Sequence, residues 1–178
     1  MSCSAHEVID LDEDLARRFV DLWDAVNVSG GAVGFRPGSH REAVTGRVER
    51  YRSRVAAGEL VGVALRDGDG GLLGVAFLVP GPAPLMGHTA DVITVMTDPA
   101  RRGEGLGRRL MAAVDEVALV RGLTLLTLDY RDGTGLGDFY AACGWVETGR
   151  VPGYLRVADD DVRASVAMAR RTDGRPLA

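Results

Sequence analysis

Lysine is absent from all 178 residues of the chain, and cysteine occurs only at positions 3 and 143. Without lysine there can be no Walker A phosphate loop, which must end in Gly-Lys-Ser/Thr. Two cysteines so far apart have no metal-ligand spacing and build no disulfide framework, so no metal centre is expected. Long apolar runs are missing as well. No stretch approaches the eighteen uninterrupted apolar residues of a membrane helix, and the start, MSCSAHEVIDLDED, has no basic segment leading into an apolar one. A cytoplasmic chain without a membrane partner is expected. Excess charge is lacking too, since 21 basic and 25 acidic residues leave a net charge of −4. That balance does not indicate a broad nucleic-acid footprint, so no nucleic-acid partner is expected.

What is present is a chain 46% hydrophobic and 26% charged, long enough for one core. No internal repeat is visible. A single domain over residues 1–170 is expected, with residues 171–178 as a loose tail.

Val92 to Met111, VITVMTDPARRGEGLGRRLM, organises the rest. A β-branched run meets a break at Asp98-Pro99, then a glycine-spaced block, then an amphipathic pattern, which reads as strand, loop, helix. Glycines at 103, 105 and 107 keep Cβ atoms away from the start of the helix. Backbone N–H groups can converge there on an anion, helped by the helix dipole and by Arg101, Arg102, Arg108 and Arg109. A phosphate-bearing ligand is implied. A dinucleotide motif starting at Gly103 is disfavoured, because its sixth position is Arg108 instead of glycine.

The other elements follow in order. After a short β-type lead, Asp10 and Glu13 have the spacing of a capping box, and Leu11, Leu15, Phe19, Leu22 and Val26 keep a helical period. Phe19 and Trp23 are expected in the core. Asn27 to Gly38 is a glycine-rich loop around Phe35, read as a flap over a pocket. Ser39 to Glu42 is a second capping box, opening a helix that ends at Gly58. Glu59 to Arg66 and Leu72 to Val79 form a hairpin, followed by a proline-rich loop. In the next strand, His88 to Thr97, alternation puts Asp91, Ile93, Val95 and Thr97 on one face and Val92, Thr94 and Met96 on the other. Leu123 to Asp129 has almost no polar face and reads as buried on both sides. A short helix carrying Phe139, Tyr140 and Cys143 stops at Gly144, and strands at Trp145 to Val151 and Val162 to Arg170 close the chain. The order βααβββαβαββ predicts an α/β sandwich, a mixed and mostly antiparallel sheet of about seven strands flanked by four helices.

Arg102-x-x-Gly105-x-Gly107 resembles the pyrophosphate-binding loop of the GCN5-related N-acetyltransferases (GNAT), and Phe139-Tyr140-Ala141-Ala142-Cys143-Gly144-Trp145 resembles that family's FYxxxGF block. Four further segments resemble the tabtoxin-resistance-like acetyltransferases: Gly31 to Phe35, His88 to Val92, Leu128 to Arg131 and Val151 to Tyr154. Thr89, Asp91 and Tyr130 depart from that subgroup near where an acceptor would lie.

The resemblance implies acetyl transfer from acetyl-CoA to a primary amine of a small molecule, a toxin or antibiotic among the options, by direct attack in a ternary complex without a metal. It assigns the cofactor to Val95, Met96 and Thr97 of the strand and to Arg101, Arg102, Gly103, Glu104, Gly105, Leu106, Gly107 and Arg108 of the block. The acceptor falls to Phe35, His88 and Tyr154, and homodimers are common in the family. Tyr140 is the candidate general acid, since a phenol stays protonated at neutral pH and can donate to a leaving thiolate. Asp129 is preferred over Asp91 as the base that takes the ammonium proton. A peptide amine as acceptor and a non-catalytic acyl-CoA-binding module are the alternative functions.

Overall fold

The computed structural model describes residues 3–8, 10–31, 33–35 and 39–177. Its strands are β1 (Cys3–Val8), β2 (Val61–Asp67), β3 (Leu72–Pro80), β4 (Thr89–Thr97), β5 (Leu125–Arg131), β6 (Val146–Arg156) and β7 (Val162–Arg171). Its helices are α1 (Glu13–Val28), α2 (Arg41–Ala56), α3 (Leu106–Val120) and α4 (Leu136–Ala142), with a 3-10 turn at Pro99–Arg101. The seven strands form one sheet in the order β1-β2-β3-β4-β5-β7-β6, antiparallel except where β4 lies parallel to β5. The expected order of elements and the mixed sheet are both found.

Two apolar clusters cover the two faces. Leu106, Leu110 and Val114 of α3 pack with Val63, Ala76, Val92, Leu126 and Met168 on one. Phe19 and Trp23 of α1 pack with Val48 and Tyr51 of α2 and with Val75, Phe77 and Met96 on the other. Phe19 and Trp23 stack at 5.1 Å between centroids, and both are buried as expected. Trp23 also donates its indole N–H to the Val33 carbonyl at 3.0 Å, tying the loop after α1 to the core.

Several local expectations are corrected. The cap of α1 is Asp12, whose carboxylate accepts from the Leu15 N–H at 2.8 Å, so Asp10 lies before the helix. His40 occupies the cap position of α2 without a side-chain cap bond. Ala32 and Arg36 to Gly38 of the glycine-rich loop lie outside the described residues. The expected tail begins too early. Arg171 still belongs to β7, and Thr172 donates its hydroxyl to the Leu123 carbonyl at 2.9 Å and its N–H to the Thr124 carbonyl.

Two further corrections shape the site. Strict alternation fails along β4, because Phe77 pairs with Ile93 and Val75 with Met96, which leaves one residue extra on β4. The bulge sits at Thr94, with φ +56°, and brings Val92 and Val95 to the α3 side and Ile93 and Met96 to the α1–α2 side. β5 is also not buried on both faces. Leu126 and Leu128 are buried under α3 and α4, whereas Thr127 and Asp129 on the reverse face are half-buried and exposed, because the cluster of α1 and α2 packs on β1 to β4.

Candidate active site

The parallel pair β4 and β5 is joined only at Thr89 with Leu125, Ala90 with Leu126 and Asp91 with Thr127. Beyond Asp91 and Thr127 the strands splay, and the bulge at Thr94 adds to the divergence. Residues 92–97 and 128–131 therefore form the two walls of an open cleft of about 1070 Å³. Backbone groups on that edge of β4 have no strand partner on β5, so they can accept an extended ligand as an added strand.

One end of the cleft is the start of α3. Arg101, Arg102, Gly103, Gly105, Leu106, Gly107 and Arg108 line it, as do Val95, Met96 and Thr97. Gly105 caps the helix at φ +76°, a conformation that glycine adopts without steric cost. The first N–H groups of α3 precede the first intrahelical bond, from the Arg109 N–H to the Gly105 carbonyl at 3.1 Å, and face a positive helix end of fifteen residues. Gly107 lets the Phe139 ring approach closely, since a Cβ there would lie 3.0 Å from it. Glu104 does not line the cleft; it binds Arg101, with Oε2 2.6 Å from the Arg101 Nη2. Arg102 reaches the Ser29 hydroxyl at 3.1 Å, which holds the end of α1 against the glycine block.

Tyr140 lies on α4 between the two walls. Its side chain is 6% exposed, flanked by the rings of Tyr130, Phe139 and Trp145. Burial, with a smaller contribution from Cys143, pushes its phenol up to about 12, so it is uncharged at neutral pH. Among the described residues no protein group hydrogen-bonds its hydroxyl, and the residue lines the cleft. The neighbouring Cys143 thiol is also pushed up by burial, which disfavours a thiolate nucleophile there.

Of the two carboxylates, only Asp129 lines the cleft. It accepts from the Ser165 hydroxyl at 2.8 Å, which fixes one of its oxygens and leaves the other free to meet a ligand. Asp91 sits at the closed end of the β4–β5 pair, where its carboxylate takes the Thr127 hydroxyl. His88 is likewise removed. It precedes β4, is exposed, and its carbonyl accepts from the Thr124 N–H. Phe35 and Tyr154 do meet, with Asp129, around a second cavity of about 470 Å³ that shares Gly34, Asp129, Tyr130 and Arg131 with the main cleft.

A profile of the Acetyltransferase (GNAT) family matches residues 33–145. The chain belongs to this family. Solved structures share its fold over nearly the whole length. A Salmonella typhimurium protein solved with its cofactor acetyl-CoA is 15% identical, with 100% of this chain and 98% of that one covered at a TM-score of 0.75. A GNAT-family acetyltransferase from Streptococcus pneumoniae is 14% identical, with 96% and 99% covered and a TM-score of 0.74. An aminoglycoside 6'-N-acetyltransferase complexed with coenzyme A is 18% identical, with 99% and 100% covered and a TM-score of 0.71. At these identities the likeness is one of fold.

In this GNAT acetyltransferase, two supports of the cleft escaped the sequence reading. The first is Tyr51 of α2, buried in the aromatic cluster, whose hydroxyl meets the Thr94 hydroxyl at 2.5 Å. A β-branched residue at positive φ is held against its own preference, and this bond is what the surroundings offer to hold it. Tyr51→Phe should lower kcat about tenfold and stability by about 1 kcal/mol. Thr94→Gly in the same background should restore part of the rate, because glycine keeps that φ unaided. Steady-state kinetics beside thermal melts check both, and an unchanged kcat in Tyr51→Phe would remove the positioning role.

The second is Arg170 of β7. It binds the Cys143 carbonyl at the end of α4 and lies 2.8 Å from the Asp115 carboxylate of α3. Asp115 is pushed up mainly by burial, with Arg170 opposing, and its other oxygen lacks a partner among the described residues. Arg170→Ala would leave that carboxylate uncompensated and free the end of the helix that carries Tyr140. A loss of about 2 kcal/mol in denaturant unfolding is expected, with a smaller loss in Asp115→Asn, which keeps the shape without the charge.

Tyr130 lines both cavities and was noticed in the sequence only as a departure from the subgroup. Gly137 makes room for it, since a Cβ there would lie 2.5 Å from its hydroxyl.

Proposed function

We propose that the protein is an acetyl-CoA-dependent N-acetyltransferase acting on a primary amine of a small molecule, by direct attack within a ternary complex. The observation that carries the reading is one cleft lined both by the glycine-marked start of α3 and by Tyr140 and Asp129. The donor set fits the cosubstrate. Glycines 103 and 105 leave space where a phosphate approaches the backbone, and Arg102 and Arg108 supply charge around it. The free edge of β4 suits an amide-bearing arm. Acetyl-CoA supplies an activated thioester carbonyl.

The chain's own groups do the rest. Asp129 binds an incoming ammonium and passes its proton to water, leaving the amine lone pair free. Backbone N–H groups beside the Thr94 bulge face developing negative charge on the carbonyl oxygen. Tyr140 holds its proton until the sulfur departs, and gives it to that atom. Burial disfavours a free thiolate as it does the phenolate, and the second proton, shed by the nitrogen as the amide forms, restores the Tyr140 phenol. The Trp23–Val33 bond and the half-buried Phe35 narrow the acceptor end, which favours a small amine over a peptide. A toxin or antibiotic amine falls within that class, as in the aminoglycoside enzyme of like fold.

Free-thiol release from acetyl-CoA across a panel of small amines tests the reading. Turnover of at least one amine is expected. Binding of acetyl-CoA with no amine or peptide consumed would replace the enzyme by a binding module.

A further inference from the structure

The second cavity is the end of the cleft remote from the phosphate site. It shares Asp129, Tyr130 and Arg131 with the main cleft and none of the glycine block. Two half-buried arginines line the main cleft beside it, Arg131 from β5 and Arg47 from α2. Arg131 lies on β5 opposite Ser165, on the sheet face that carries Asp129. Arg47 of α2 lines the main cleft and sets its guanidinium 5.2 Å from the centre of the Phe35 ring, which lines the second cavity.

Elsewhere the arginines are mostly spoken for. Arg101 pairs with Glu104, Arg150 with Glu147 and Asp132, and Arg170 with Asp115. Asp161, on the turn before β7, is bonded by Arg163. Arg47 and Arg131 form no ion pair among the described residues, and neither does Arg156 of the second cavity; Arg131 lies near enough to Asp161 to help Arg163 hold its carboxyl low. Two half-buried guanidinium groups lining one cleft without an ion pair of their own, beside the Asp129 carboxylate, form a pattern complementary to a molecule with one positive and one negative end.

Resting on the acetyltransferase reading, we propose that the acceptor is a small amine that also carries an acidic group, a carboxylate or a phosphonate. Arg47 and Arg131 bind that group while Asp129 faces the ammonium. Anchoring the acid at the two arginines leaves the amine on the Tyr140 side of the cavity, where its attack is oriented. A diamine or a neutral amide would place nothing opposite the two cations, and a diamine would add a third.

Matched acceptors test this, with aminocarboxylates and aminophosphonates set against the same compounds as neutral amides and against diamines. With acetyl-CoA and the thiol-release readout, kcat/KM for the acids should exceed that for the amides about tenfold or more. Arg131→Gln and Arg47→Gln should each collapse that ratio towards one through KM, while calorimetry finds acetyl-CoA affinity unchanged. Amides or diamines turned over as well as the acids would overturn the assignment and leave the acetyltransferase reading intact. Acetyl-CoA affinity lost in both variants would also overturn it, giving the arginines to the cofactor's phosphates. Should no amine be consumed, the acids are titrated calorimetrically into the protein saturated with coenzyme A. Binding of an acid weakened by Arg131→Gln supports the subsite even though transfer fails, and no binding of any acid sinks it.

Discussion

Tyr140→Phe is expected to lower kcat by about 10²–10⁴-fold with acetyl-CoA affinity retained. The ring makes the packing contacts with Phe139, Tyr130 and Trp145, and phenylalanine keeps them. Only the hydroxyl is lost, and no protein group depends on it among the described residues. A parallel collapse of cofactor binding or folding would show that the residue is structural. The same side chain sets an alkaline signature. Its folded pKa, about 12, lies above the ordinary value of 10 for a phenol, so the uncharged form is the one folding favours. The associated stability is fully present below pH 10 and is lost as pH rises through about 12, amounting to about 3 kcal/mol over the whole interval. Compared with Tyr140→Phe, the wild type should lose stability faster above pH 10, and the tyrosinate absorbance step near pH 12 should vanish in the variant. Wild-type and variant stabilities that run parallel through that range would contradict the burial account.

Gly105→Asp is expected to weaken acetyl-CoA binding about 10²-fold or more. Two effects add. An L-residue at φ +76° is strained by about 1–3 kcal/mol, and a carboxylate at the start of α3 opposes any phosphate drawn there by the helix dipole. Gly105→Ala separates them. No atom lies within 4 Å of a Cβ built at Gly105, so alanine carries backbone strain without charge or collision and should cost less than a tenth of the aspartate effect in Kd. If alanine and aspartate weakened binding equally, strain alone would explain the loss and the anion site at this helix would be unsupported. Isothermal titration with acetyl-CoA and with coenzyme A reads the difference.

The local signals were strong where chemistry is local. The order of elements, the glycine block, and the Phe139 to Trp145 block with its stop at Gly144 can all be read from spacing, because caps, positive-φ glycines and helical periods act over a few residues. The sequence also favoured Asp129, Phe35 and Tyr154, which do share one cavity. It placed Asp91 and His88 beside them, and both lie away from the cleft lining. Neighbourhood along a strand misleads here. Three rungs of the ladder join β4 to β5 before they part, and residues on the paired side of that point face a different space from residues beyond it.

The bulge at Thr94 has no sequence signature, and its cause lies in another element. Tyr51, forty-three positions earlier, meets it from α2. β5 reads as fully buried from its leucines, yet one face is open because the cluster of α1 and α2 packs on β1 to β4. By itself, then, the sequence determined which elements form and where the glycine-marked helix start lies, since those depend on short-range propensity, capping and backbone freedom. Only the tertiary structure decided where the sheet splits, which carboxylate reaches the cleft, and which arginines line it. Those are consequences of register and of which faces the helices leave uncovered, and both are settled by packing between residues far apart in the chain.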